Sequence, residues 1–178
     1  MNTIQADNNT GALHDIRVVE FCHMVMGPTC GMILADMGAD VIKVEPVHGD
    51  TTRRLVHQGA GFFATYNRNK RSLALDLKSP QGLEAAKRLC AEADVVVENL
   101  RPGALEGLGL GYADLSADNP GLVYCALKGF LDGPYAHRKA LDEVVQMMAG
   151  LAYMTGPGPG PSTTPSARKT TKMSLSGS

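Results

Sequence analysis

Apolar and polar positions along the chain keep switching between two periods. The β-branched run "IRVVEFC" (16–22) predicts a strand, and "GPTCGMILADMGAD" behind it predicts a helix with Pro28 in its first turn and Gly38 at its end. "VIKVE" (41–45) reads as a second strand, and a polar, Gly-rich connection leads to a third, "SLALDL" (72–77). Ser79 and Pro80 then form the N-cap and first residue of a helix over "PQGLEAAKRLCAEA". Leu83, Ala86, Leu89 and Cys90 recur there at helical spacing and give it one buried face. "DVVVEN" (94–99) is a fourth strand, "YADLSADNP" a short helix and "GLVYCALKG" (121–129) a fifth strand. Strands separated by helices of this length predict an α/β fold: a Rossmann-like parallel sheet with flanking helices and right-handed crossovers.

The pattern fades at both ends. Residues 1–12 read as a disordered N-terminus, 13–155 as one domain, and 156–178, dominated by Gly, Pro, Ser and Thr, as an atypical disordered tail that cannot bury enough apolar area to offset its ordering entropy. The chain has 178 residues, 44% of them hydrophobic, and a formal net charge of -1, which supplies a core but no basic excess for gripping a phosphate backbone. Nucleic acid is therefore not an expected partner. No apolar run is long enough to span a bilayer, and "MNTIQADNNTGALHD" lacks the basic and apolar regions of a signal peptide, so a cytoplasmic protein is expected. Cys22, Cys30, Cys90 and Cys125 lie in apolar segments without CxxC spacing. They read as small buried hydrophobes of a reducing compartment, with neither a metal site nor a disulfide frame.

In a parallel sheet, ligand chemistry belongs at the carboxyl ends of the strands, where helix N-termini present free N–H groups. Three loops qualify: "FCHMVMGP" with His23; "ENLRPG" with Asn99 and Arg101; and "LKGFLDGPYAHRKALDE" with Lys128, His137, Arg138, Lys139 and Asp142. Their donors and positive charge suit an anionic ligand, such as a phosphorylated one. Each has a plainer reading: His23 as a satisfied polar residue, Asn99 as a turn cap, and the basic run as a solvated loop. A dinucleotide fold would need GxGxxG after the first strand, and Gly27 and Gly31 in "GPTCG" match it poorly. Glu45, at the end of the second strand, imitates the ribose-binding acid of such folds, but one acid is a weak signal.

Longer phrases carry more. "IRVVEF", "GPTCGMILADMGADVIKVEPVHGD", "NRNKRSLALDLKSPQG", "ADVVVENLRPGALEGLGLGYADLSADNPGLVYC", "LKGF" and "GPYAHRKALDEVVQMMAGLAYMTG", in this order, resemble the amino-terminal part of the class III CoA-transferases, the family of formyl-CoA and crotonobetainyl-CoA transferases. The resemblance runs from about Leu13 to Gly156 and implies the amino-terminal portion of a large CoA-binding domain. It implies transfer of coenzyme A between an acyl-CoA thioester and a small carboxylic acid, with no metal, through an aspartate that forms an acyl anhydride and then an aspartyl-CoA thioester. In the family that aspartate lies beyond the "TG" phrase. Here residues 144–178 contain neither Asp nor Glu, so no catalytic residue is assigned. The expectation is a chain that leaves its family's pattern there, by truncation, altered frame or design, and is weakly active or inactive.

By the same resemblance, CoA would lie against Leu75, Asp76, Leu77 and Lys78, with Asn99 and Leu100 near the pantetheine or phosphates. His23, Met24 and Val25 would line the entrance, and Lys139 and Asp142 would border the thioester site. The family commonly has Gln or Arg where Val25 stands, and Arg where Pro46 and Gly107 stand, so phosphate contacts are fewer here. The related α-methylacyl-CoA racemases place a proton-exchanging His before the aspartate matching Asp142. This chain has Leu141, which cannot exchange a proton, and "KALDEVVQMMAG" resembles the transferase branch instead, including members acting on dicarboxylates such as mesaconate. Full-length members are interlocked homodimers, and a chain without the returning carboxyl-terminal segment is expected to leave sheet edges and apolar helix faces open. The competing readings are a noncatalytic fragment without a ligand and an NAD-type binding domain.

Overall fold

The computed structural model describes residues 11–130, 133–138 and 142–154. They fall into two compact units, one ending at Leu127 and one beginning at Lys128. The first holds strands β1 (Arg17–Phe21), β2 (Asp40–Glu45), β3 (Arg71–Ala74), β4 (Val95–Glu98) and β5 (Val123–Ala126). Its helices are α1 (Met26–Asp36), α2 (Phe62–Tyr66), α3 (Pro80–Ala91) and α4 (Tyr112–Asp118). In the second unit, α5 (Asp142–Met148) and α6 (Leu151–Met154) pack together.

All five strands form one parallel sheet in the order β3-β2-β1-β4-β5, the α/β architecture expected from the alternating periods. Strand residues alternate between the faces. Val19, Phe21, Val44 and Val96 join one core with Ala86 and Cys90 of α3 and Leu115 of α4, while Val18, Cys22, Val41 and Val97 join a second with Ala35 of α1. Each fully buried valine contributes about 1.5–3 kcal/mol relative to an exposed one. Helix α3 starts as its sequence requires: Ser79 Oγ accepts the N–H of Gly82 at 3.0 Å, with Pro80 at the first helical position. Helix α1 stops at Asp36, and Gly38, with φ of 100°, turns the chain into β2.

Two stretches differ from the sequence pattern. "SLALDL" leaves the sheet after Ala74, because Asp76 bends the backbone: its Oδ1 accepts the N–H of Lys78 and its carbonyl that of Ser79, each at 3.0 Å. The connection between β2 and β3, read only as polar, contains 3-10 turns at Thr51–Arg54 and His57–Gly59 before α2. Asp50 caps the first of them, accepting the N–H of Thr52 at 2.9 Å.

Candidate functional site

Strand order places a topological switch between β1 and β4. The chain leaves β1 toward β2 on one side and leaves β4 toward β5 on the other, the arrangement at whose carboxyl edge parallel α/β sheets bind ligands. Two predicted site residues meet there. The N–H of His23 donates to Asn99 Oδ1 at 3.0 Å, and Asn99 Nδ2 donates to the His23 carbonyl at 2.9 Å. The Asn99 amide thus copies a strand neighbour and extends the β1–β4 pairing by one step. Both of these contacts go to the backbone, so the imidazole of His23 stays exposed.

The following residue, Met24, has φ of 64°, a left-handed conformation that costs a non-glycine residue about 1 kcal/mol or more. Val25 is half-buried, and its carbonyl accepts both the N–H and the Oγ1 of Thr29, at 2.8 and 2.7 Å, which closes the first turn of α1. The amino end of this helix, whose first N–H groups lack intrahelical acceptors, favours negative charge. Gly27 permits its close seat: a Cβ there would lie 2.5 Å from Cys22 Sγ and 2.9 Å from Asn99 Cγ.

Beneath this loop lies a cluster the sequence reading missed. Glu20 of β1 and Lys43 of β2 are register partners, both almost fully buried. Lys43 Nζ lies 3.2 Å from Glu20 Oε1, 3.1 Å from Asp50 Oδ2 and 2.5 Å from the Cys22 carbonyl. Lys70 Nζ donates to Glu20 Oε2 and the Pro28 carbonyl at 2.7 Å each, and to Asn67 Oδ1 at 3.2 Å. Burial pulls the Lys70 ammonium below its usual pKa against the opposing pull of Glu20. Two acids and two bases balance. Gly31 belongs to the same assembly, since a Cβ there would fall 1.9 Å from Glu20 Oε2. A legible signal existed: single charges of opposite sign inside the apolar runs "VVEF" and "VIKVE".

Glu45 is also buried, and it is engaged. Arg53 Nε and Nη2 donate to its two carboxylate oxygens at 2.8 and 2.7 Å, Ser72 Oγ at 2.7 Å and the N–H of Asp50 at 2.7 Å. Burial raises its pKa, but these hydrogen bonds outweigh that and hold it at about 2. Arg53 also stacks over the Phe63 ring at 3.7 Å. Glu45 therefore organises the turn after β2, a different task from that of a ribose-binding acid.

The "LDLK" segment follows β3 at the same edge, tied to β2 by the N–H of Leu75 and the Glu45 carbonyl at 2.9 Å. Leu75 and Leu77 pack on the α3 core, while Asp76 and Lys78 are exposed. Behind β4, the N–H of Leu100 donates to the buried Glu98 Oε2 at 2.8 Å, and its side chain packs on the same core. The structure thus groups His23, Met24, Val25, Asn99 and Leu100 at the switch point, with Leu75 to Lys78 two strands away, roughly 10 Å in strand spacings. Of the third loop, Arg138 stacks over Tyr135 at 4.8 Å within the second unit. Asp142 opens α5, whereas Lys139 and Leu141 lie outside the described residues.

A cavity of about 650 Å³ lies at the opposite, amino edge, lined by His14, Arg17, Asp40, Glu92 and Asp94 among others. Arg17 is there already engaged, its N–H with Asp94 and its guanidinium with Glu92. Cys22 and Cys90 are buried free thiols, and burial pushes the Cys90 pKa up to about 12, which suits packing rather than nucleophilic work. Among the described residues no group of three His, Cys, Asp or Glu is placed to hold a metal ion, and no helix is long and apolar enough to cross a membrane.

The profile of CoA-transferase family III matches residues 13–173. The chain belongs to CoA-transferase family III. It is 40% identical over 154 residues to the succinyl-CoA:glutarate CoA-transferase of Mus musculus, a match covering 83% of this chain and 35% of that protein. It is 42% identical over 166 residues to the succinyl-CoA:mesaconate CoA-transferase of Haloarcula hispanica, covering 86% of this chain and 42% of the relative. The crystal structure of a CAIB/BAIF family protein from Brucella suis superposes with a TM-score of 0.77 at 40% identity, over 90% of this chain and 45% of that one. The chain therefore spans less than half the length of these family III relatives.

Proposed function

We propose that this chain is the carrier-binding part of a cytoplasmic CoA-transferase that moves CoA between an acyl-CoA thioester and a small carboxylic acid, with dicarboxylates as the substrate class. Family membership supports the reaction type, and relatives named for glutarate and mesaconate support the acid class. The observation that carries the reading is the β1/β4 switch point, where Asn99 clamps the backbone of His23 beside the amino end of α1.

Each element there has a task. The α1 amino end attracts the negative charge of the phosphates or of a developing oxyanion. Met24, held left-handed, and Val25 form an apolar lip for the pantetheine arm. "LDLK" receives the nucleotide end, with the exposed Lys78 supplying charge and Leu75 and Leu77 anchoring the segment to the core. Asn99 acts by fixing His23 rather than by touching CoA with its amide. Leu100 adds neighbouring surface beside Asn99.

The transfer itself needs a carboxylate that becomes acylated, and the sequence from residue 144 onward supplies none. The 178-residue polypeptide taken alone is therefore expected to bind CoA without turning over. Calorimetric titration with CoA and with NAD, beside a succinyl-CoA to glutarate or mesaconate transfer assay, tests this. Saturable CoA binding, no NAD binding and no transfer are the expected results. Turnover by protein of confirmed length contradicts the division of labour, and absence of CoA binding favours the ligand-free fragment.

A further inference from the structure

The buried charge quartet has no direct route to a ligand. The side chains of Lys43 and Lys70 are 2% and 1% exposed, and those of Glu20 and Asp50 0% and 3%. Such clusters are costly: apolar residues of similar volume often give equal or greater stability, because desolvating four charges offsets most of their attraction. Stability alone is thus a poor reason for this one, and the third partner of each lysine points to another.

An ammonium has three protons to place. Lys43 donates to Glu20 and to the carbonyl of Cys22, and its ammonium forms an ion pair with Asp50 at 3.1 Å. Lys70 gives one to Glu20, one to Asn67 and one to the carbonyl of Pro28. Cys22 and Pro28 bracket the loop that carries His23, Met24 and Val25. The loop is therefore gripped from below at both ends, while Asn99 holds His23 between them. Gly31 gives α1 room to lie over the Glu20 carboxylate. The left-handed Met24 needs this kind of over-determination, since an unheld loop would relax to a more populated backbone conformation.

We infer that Lys43 and Lys70, charge-balanced by Glu20 and Asp50, are positioning residues that set the conformation of the 22–28 loop and through it the affinity of the site for CoA. This rests on the CoA-binding reading above for its second half only. The first half concerns the loop and has its own readout.

The test uses charge-balanced replacements, so that general destabilisation and loss of positioning separate. In Glu20→Gln/Lys70→Met, Lys43 still faces Asp50 and no charge is left unmatched, but the Pro28 carbonyl loses its donor. In Lys43→Met/Asp50→Asn, Glu20 still faces Lys70, and the Cys22 carbonyl loses its donor. Hydrogen exchange of the 178-residue chain is followed at the amides of His23 and Thr29 and, as a reference, at Val19 and Val96 within the sheet. The expected result is exchange about tenfold faster at His23 and Thr29 with the strand amides unchanged, together with CoA affinity about tenfold weaker by calorimetry.

Loop amides that stay as protected as in the unsubstituted chain overturn the inference. So does a uniform loss of protection in loop and strands, or failure of both double variants to fold, because the cluster is then a requirement of the sheet. If the unsubstituted chain binds no CoA, the functional reading falls while the exchange pattern still decides the positioning role. CoA binding at full strength in a variant whose loop has loosened leaves the functional reading intact and removes the link between loop and affinity.

Discussion

Asn99 shows how one side chain can serve a ligand site without reaching the ligand. Its amide donates to and accepts from the same residue, His23, and so joins the loops behind β1 and β4. Asn99→Ala removes both bonds, with an expected loss of about 1–2 kcal/mol in urea denaturation and a weaker CoA isotherm. A stability loss without any change in affinity would reduce Asn99 to a structural role. Glu45 makes a second prediction. Its folded pKa, about 2, lies below the 4.5 of a free carboxyl, so its stabilisation is complete above pH 4.5 and drains away as the pH falls toward 2. Glu45→Gln should flatten this acid limb of the stability profile, by at most about 3 kcal/mol. Of these roles, only the locations of Asn99 and Glu45 at strand ends were legible in the sequence. The partner of Asn99 lies 76 positions away, and Arg53, which fixes Glu45, sits in a stretch with no hydrophobic period to betray its geometry.

At the level of elements, the glycines of "GPTCG" explain why α1 can lie so low on the sheet. They resemble a degraded dinucleotide fingerprint, but they make room for protein: Gly27 for Cys22 and Asn99, Gly31 for Glu20. Gly31→Ala would place a methyl against a buried carboxylate, with an expected destabilisation of about 1–3 kcal/mol that thermal melting would register. Unchanged stability would mean that α1 can lift without cost. Strands and helices with a clear period were legible to within a few residues, and Ser79 caps α3 as its sequence announces. The early end of β3 was not legible, because the Asx turn at Asp76 competes locally with an apolar alternation that would otherwise continue the strand. Nor was α2, a five-residue helix too short for periodicity to define.

For the whole molecule, the strand order turns a list of loops into one edge. Placing β1 between β2 and β4 gathers the loops behind β1, β3 and β4 at the carboxyl end, while the cavity lined by Arg17 and its acidic partners occupies the other end. Parallel order followed from the alternation of elements, and family III membership from long phrases in sequence. The buried quartet emerged only when β1 and β2 were set in register. Amide chemical-shift mapping during a CoA titration tests the central claim most directly. Shifts concentrated at His23, Met24, Val25, Leu75 to Lys78, Asn99 and Leu100 are the predicted result; shifts centred on His14, Arg17 and Asp94, or none at saturating CoA, would contradict it.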